Sequence, residues 1–386
     1  MGYARGWRGL DSVSRRPLIP CMRPPPLAIG RIVAEGRQVD IEDRPVLDEP
    51  FFVLRHFRKP GRAVQPAVLA VAPLSGHFGW ILRDLVVGLL PRHDVALLEW
   101  KDARGIPRAA GRFDLAATIS AVRKSVRTLG PGLTVVGISQ SATPVLAAAA
   151  LMAEDGDPAR PCALVLMGGY LDPRVKPTAV ERMARGLPQG WFRHVVARRA
   201  PGSGRPVYPA RMHWHALGRY LARHLATGGE LAAKLWRDDG EDPARFPFLR
   251  LYSTLMDLPA EFAEDNLRHV FQQPALAQGR LRWRGRAVNP AAIEDIALMT
   301  VEGGKDDSSG FGQTLVAHAL AWRIPDPLRE HHIESGAGHF GLFHGDSWRT
   351  GVLPEVEDFI ARTATACPVR LRRWRRMRGR RENTAP

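Results

Sequence analysis

Over the first half of the chain, short apolar runs alternate with stretches of helical spacing. Val68-Leu-Ala-Val-Ala72 is an unbroken apolar run of strand length, with a helix expected near Trp80–Leu90. Val95-Ala-Leu-Leu-Glu99 reads as a second strand. Over Phe113–Leu129 the spacing of Leu115, Ile119, Val122 and Val126 puts one apolar stripe on a helix. Leu133-Thr-Val-Val-Gly-Ile138 is a third strand, Ala142–Met152 an Ala-rich helix, and Ala163-Leu-Val-Leu-Met167 a fourth strand. Continuous apolar strands alternating with helices predict a mostly parallel sheet covered on both faces. From about Leu171 to Ala292 the alternation stops. The chain turns helical and aromatic, with Trp191, Phe192, Trp214, Trp236, Phe246, Phe248, Phe262 and Phe271. Strand signals resume at Ala297-Leu-Met-Thr-Val-Glu302 and near Glu330–Ser335, and a closing helix is expected around Leu353–Arg362.

This pattern divides the chain into a Pro/Arg-rich extension (1–45) with at most one short helix, a first core segment (46–170), a helical cap insertion (171–292), a second core segment (293–366) and a basic tail (367–386). A length of 386 residues suits two or three domains, or one large α/β enzyme with an inserted subdomain. With 45% hydrophobic and 24% charged residues the composition excludes a disordered or fibrous chain. Three distant cysteines, Cys21, Cys162 and Cys367, argue against a disulfide framework or zinc site, and for a reducing or redox-indifferent setting.

The net charge of +16 raises the question of a polyanionic partner, and its distribution answers most of it. Val369–Pro386 holds eight arginines against one acid, and residues 1–24 hold five against one. About +5 remains for everything between. A nucleic-acid fold needs more than charge, and no finger, RNP or helix-turn-helix signature occurs. The tail leaves a polyanion or an anionic surface open as partner. No apolar run reaches the 18 residues of a membrane span, and Pro17–Pro26 is too broken for a signal peptide, so a cytoplasmic location is expected.

The chemistry concentrates in three loops. Gly137-Ile-Ser-Gln-Ser141 follows the third strand and opens the Ala-rich helix, the setting of a nucleophile elbow. Its apex residue sits on a strained turn, so its neighbours must be small; Ser141 stands where glycine is usual. Glu302-Gly-Gly-Lys-Asp-Asp307 then leaves a predicted strand and offers Asp306 as an acid, with Asp307 the competitor; loop spacing favours Asp306. His339, flanked by glycines in Gly336-Ala-Gly-His-Phe-Gly341, follows the last strand. The order Ser139, Asp306, His339 is that of the α/β-hydrolase triad. Oxyanion donors are expected from the backbone N–H groups of Gln140 and of Ser75, in the loop after the first strand, where His77 also lies. No cofactor or metal is expected: no phosphate loop follows a strand, and the two aspartates lack an oxygen-rich loop.

Several longer runs carry a resemblance beyond the triad. Ala72-Pro-Leu-Ser-Gly-His-Phe78, Gly168-Gly169 with Asp172–Val180, Met256–Phe262, and Thr300–Asp307 with Gly312-Gln-Thr314 resemble intracellular polyhydroxyalkanoate (polyhydroxybutyrate) depolymerases over about residues 50–362. The resemblance implies an α/β-hydrolase fold with an inserted, mainly helical cap. It also implies cleavage of ester bonds in a storage polyester, with the polymer or its granule surface as partner. Members of that family often carry cysteine at the position of Ser139 and proline at that of Ser141. This chain departs from that pattern, which makes hydrolysis through a seryl ester the simpler expectation. A general carboxylesterase or lipase, and a non-catalytic granule protein, are the alternatives.

Overall fold

The computed structural model describes residues 27–61, 65–188 and 254–366, with shorter pieces between 190 and 226. The Arg-rich tail, the first 26 residues, and Phe192, Trp214, Trp236, Phe246 and Phe248 lie outside the described residues.

In chain order the strands are β1 (Arg31–Ala34), β2 (Arg37–Asp40), β3 (Glu42–Asp48), β4 (Phe52–Arg58), β5 (Ala67–Val71), β6 (Asp94–Trp100), β7 (Leu133–Ile138), β8 (Ala163–Met167), β9 (Arg198–Arg199), β10 (Pro206–Tyr208), β11 (Leu258–Pro259), β12 (Arg282–Trp283), β13 (Arg286–Ala287), β14 (Ala297–Gly303) and β15 (Arg329–Glu334). The described helices are α1 (Arg83–Leu89), α2 (Leu115–Leu129), α3 (Ala142–Glu154), α4 (Ala179–Arg185), α5 (Ala260–Asn266), α6 (Val316–Leu320) and α7 (Leu353–Ala366).

Eight strands form one sheet in the order β3-β4-β6-β5-β7-β8-β14-β15. The six from β6 to β15 run parallel, and β4 is antiparallel to both β3 and β6. The chain steps from β5 to β6 on one side, then crosses back to β7 on the other. The strand order therefore reverses between β5 and β7, and a crevice opens outside their carboxyl ends. Every residue of β5, β7, β8 and β14 is buried, as the continuous apolar runs require of strands covered on both faces.

Local chemistry sets the helices. Asp114 accepts the Ala117 N–H at 2.9 Å and caps α2, whose apolar stripe lies on α3. Helix α3 is buried from Ala142 to Met152, which suits a helix apolar all round, set between sheet and α2. Trp80 and Trp100 are core residues, the latter donating its indole N–H to Ala72 O at 2.7 Å.

Three features depart from the sequence reading. The stretch assigned to an extension contains β1, β2 and the start of β3; β2 and β3 are mostly exposed, and β1 has only four residues, of which Ile32 and Ala34 are buried. The insertion contributes a small antiparallel sheet, β11-β10-β9, besides its helices; strands this short leave no periodic signal. Cys162, just before β8, is disulfide-bonded. Spacing along the chain says nothing about the Cα separation that permits such a bond.

Candidate active site

Ser139 follows the last residue of β7 and has φ +56°. Such a value is costly for a residue with a Cβ, and it turns the side chain out of the sheet before α3 begins. The turn tolerates Ser141 because its hydroxyl is fully engaged. Ser141 Oγ accepts the Ile138 N–H at 2.7 Å and lies 2.8 Å from Val71 O and 2.9 Å from Ile138 O. The side chain that replaces glycine thus ties the turn to the end of β5.

His339 comes from the loop after β15. Its Nε2 lies 3.0 Å from Ser139 Oγ and its Nδ1 2.8 Å from Asp306 Oδ2. The other oxygen of Asp306 accepts the N–H groups of Ser308 (2.8 Å) and Ser309 (2.9 Å), which aims Oδ2 at the imidazole. The Asp306 side chain is 2% exposed and that of His339 6%, so the ion-forming pair is shielded from water. The structure brings together Ser139, Asp306 and His339; Asp307 is half-buried beside them.

The two loops carrying Asp306 and His339 are bonded together through the backbone. Gly304 N donates to Glu334 O and Lys305 N to Ala337 O, each at 2.9 Å. Gly303 and Gly304 permit that approach: a Cβ on either would sit 2.6 Å from a carbonyl oxygen of the facing loop. Gly168, at φ +53°, lies after β8 where a Cβ would come 3.2 Å from the His339 ring. Behind them Glu302, 3% exposed, accepts the N–H groups of Gly312, Thr314 and Leu315 and holds the next loop.

Gln140 and Ser75 stand on loops at the carboxyl ends of β7 and β5, neighbours paired at Gly137 and Val71. Gln140 Oε1 accepts from Asn266 Nδ2 at 3.1 Å, a contact from the end of α5 in the insertion. The Ser75 loop is held from the same segment: Met256 N donates to Gly76 O at 2.8 Å, and His77 forms a bridge with Leu255. His77 packs its ring edge against Phe340, next to His339.

Tyr170 gave no sequence signal, yet it joins the site. Its hydroxyl lies 2.6 Å from Ser308 Oγ, and its ring lies between Phe271 of the insertion (5.0 Å) and His339 (6.2 Å). Burial, then the Asp306 charge, holds the phenol well above its usual pKa, so it stays protonated.

An imidazole bonded to a carboxylate through Nδ1–H has a free lone pair on Nε2 and can take the proton of a hydroxyl there. Among the described residues no cluster of His, Cys, Asp or Glu is placed to hold a metal ion, and no helix is long and apolar enough to cross a membrane. An open cavity of about 430 Å³ lies elsewhere, lined by α2 residues with Trp283 and Arg284, and includes no residue of this site.

A sheet in this order, with its site residues on loops at the carboxyl edge, is the α/β-hydrolase fold. The family model described as PHB de-polymerase C-terminus matches residues 168–364, just over half of the chain, and the chain belongs to that family. Ester hydrolysis is the chemistry this membership brings. The match takes in Asp306 and His339 and leaves Ser139 outside it. No curated protein matches the chain. Among solved structures it is similar to bromoperoxidase from Bacillus anthracis, 12% identical over 83% of this chain and 100% of that one, at a TM-score of 0.49. A soluble variant of monoglyceride lipase from Saccharomyces cerevisiae is 13% identical over 88% and 99%, also at 0.49.

Proposed function

We propose that the protein hydrolyses ester bonds of a polyhydroxybutyrate-type storage polyester through an acyl-enzyme on Ser139. The observation that carries this reading is the pair of bonds made by His339, 3.0 Å to Ser139 Oγ and 2.8 Å to Asp306 Oδ2, in a member of a family described by that polymer.

His339 Nε2 takes the Ser139 proton as Oγ attacks the polyester carbonyl. Asp306 stays ionised, keeps the imidazole in the right tautomer and stabilises its cation. The backbone N–H groups of Gln140 and Ser75 meet the oxyanion. The imidazolium then protonates the departing hydroxyl of the next monomer unit. Water repeats the sequence on the acyl-enzyme and frees the hydroxyacid. Phe271, Phe340 and Phe343 surround His339 and Tyr170 with apolar rings, which suits a water-poor polyester chain.

The same reading puts the work at cytoplasmic polymer granules, with the basic tail as a contact to the granule or to an anionic surface.

The test is release of 3-hydroxybutyrate from amorphous polyhydroxybutyrate granules by the wild type and by Ser139→Ala. A loss of about a thousandfold or more in the variant is expected. Undiminished release would remove Ser139 as nucleophile. Cleavage of short p-nitrophenyl esters without polymer release would move the protein to the general esterases. Inactivity on both would leave the non-catalytic granule protein.

A further inference from the structure

Tyr170 stands at the meeting point of the two halves of the site. Ser308, its partner at 2.6 Å, gives its backbone N–H to Asp306 Oδ1. The same acid loop is held to the segment after β8 by two more bonds, Ser309 Oγ to Gly169 O at 3.2 Å and Thr178 Oγ1 to Ser308 O at 3.1 Å. The contacts therefore run in a chain: Ser139 to His339, His339 to Asp306, Asp306 to Ser308, and Ser308 to Tyr170.

We propose that Tyr170 is a positioning residue that, through Ser308, holds the Asp306 carboxylate in register with the Ser139–His339 pair. This rests on the reading of Ser139 as nucleophile and deepens it. The residue is buried to 5% exposure, and its phenol is neutral in the working range, so it supplies a fixed hydrogen-bonding group without adding a charge. Only the hydroxyl does this, because the ring's packing on Phe271 is open to phenylalanine equally.

The experiment is the rate at which a fluorophosphonate inactivates the full-length protein, followed against pH. This reagent needs the nucleophile and its base but no polyester. Tyr170→Phe is expected to slow inactivation by about tenfold, the scale of one lost hydrogen bond. Its acid midpoint moves to lower pH, because a less well aimed Asp306 stabilises the His339 cation less. Ser308→Ala is expected to lose a similar factor, and the double variant no more than either, since both residues serve one connection. Wild-type rate in Tyr170→Phe, an unmoved midpoint with only a lower melting temperature, or losses that multiply in the double variant would each overturn the proposal. A wild type inert to the reagent would overturn it together with Ser139 as nucleophile. A wild type that reacts but releases no 3-hydroxybutyrate would overturn the polyester reading alone, and the comparison of variants would still decide the role of Tyr170.

Discussion

Two regions of the molecule set a buried hydroxyl against an imidazole, and only one is built to react. In the site, Ser139 Oγ lies 3.0 Å from His339 Nε2. Inside the sheet, Thr300 Oγ1 on β14 lies 3.0 Å from His318 Nε2 and 2.8 Å from His331 Nδ1. Distance does not separate them. Thr300 is mid-strand, wholly buried and shared between two rings, one of which also meets Glu330 O. Ser139 stands at a strand end on a positive-φ turn, keeps 5% exposure, and has one imidazole backed by a carboxylate. His318 is instead pushed down to about 4, chiefly by burial, so it resists the cation that a general base must become. His331 also has a carboxylate on its far side, but Glu302 stands 4.0 Å from its Nε2 where Asp306 bonds His339 at 2.8 Å. A reactive pair thus needs a carboxylate bonded to the ring and an open side before the hydroxyl.

The largest test of that contrast removes the carboxylate's charge. Asp306→Asn is expected to cut turnover by about 10⁴, since the amide favours the wrong tautomer of His339. Esterase assays should show Asp307→Asn close to wild type; a large loss there instead would move the acid's role to the neighbour. Next in size, Thr300→Val should leave turnover intact and destabilise the fold by about 1–3 kcal/mol, because His331 Nδ1 loses its partner while His318 Nε2 keeps only Glu330 O. Denaturant melts check it, and lost activity with unchanged stability would erase the distinction between the pairs. The smallest effect is on pH. His318 and His93 both titrate at about 4 in the folded chain, below the ordinary 6.5. Their contribution to stability is complete above about pH 6.5 and is lost as the pH falls through about 4. His318→Gln should flatten part of that slope, measured as melting temperature against pH.

Much of the core was legible because its signals are local. β7 and β8 have the predicted bounds, and α2 and α3 begin within two residues of expectation. The four-residue β1 and β2, the mostly exposed β3 with Pro45 inside it, and the two- and three-residue strands of the insertion were not legible, since they are either too short or too polar to leave an apolar run. Ser141 looked like a weakness of the elbow; its fit depends on Val71 O, a partner 70 residues away. Tyr170 was silent for a similar reason: its partner Ser308 is 138 residues distant.

The amino-acid order alone determined the alternating parallel architecture, the strand–turn–helix around Ser139 and the three loops that carry the chemistry. Each depends on contacts within a few residues: apolar runs, caps and small side chains at turns. Only the tertiary structure decided which oxygen of which acid faces His339, what stands behind it, and that Cys162 is bonded. Those outcomes depend on strand order, which brings the carboxyl ends of β5, β7, β8, β14 and β15 to one edge of the sheet. Hydrogen bonds fall off within fractions of an ångström, and spacing along a chain carries no such resolution.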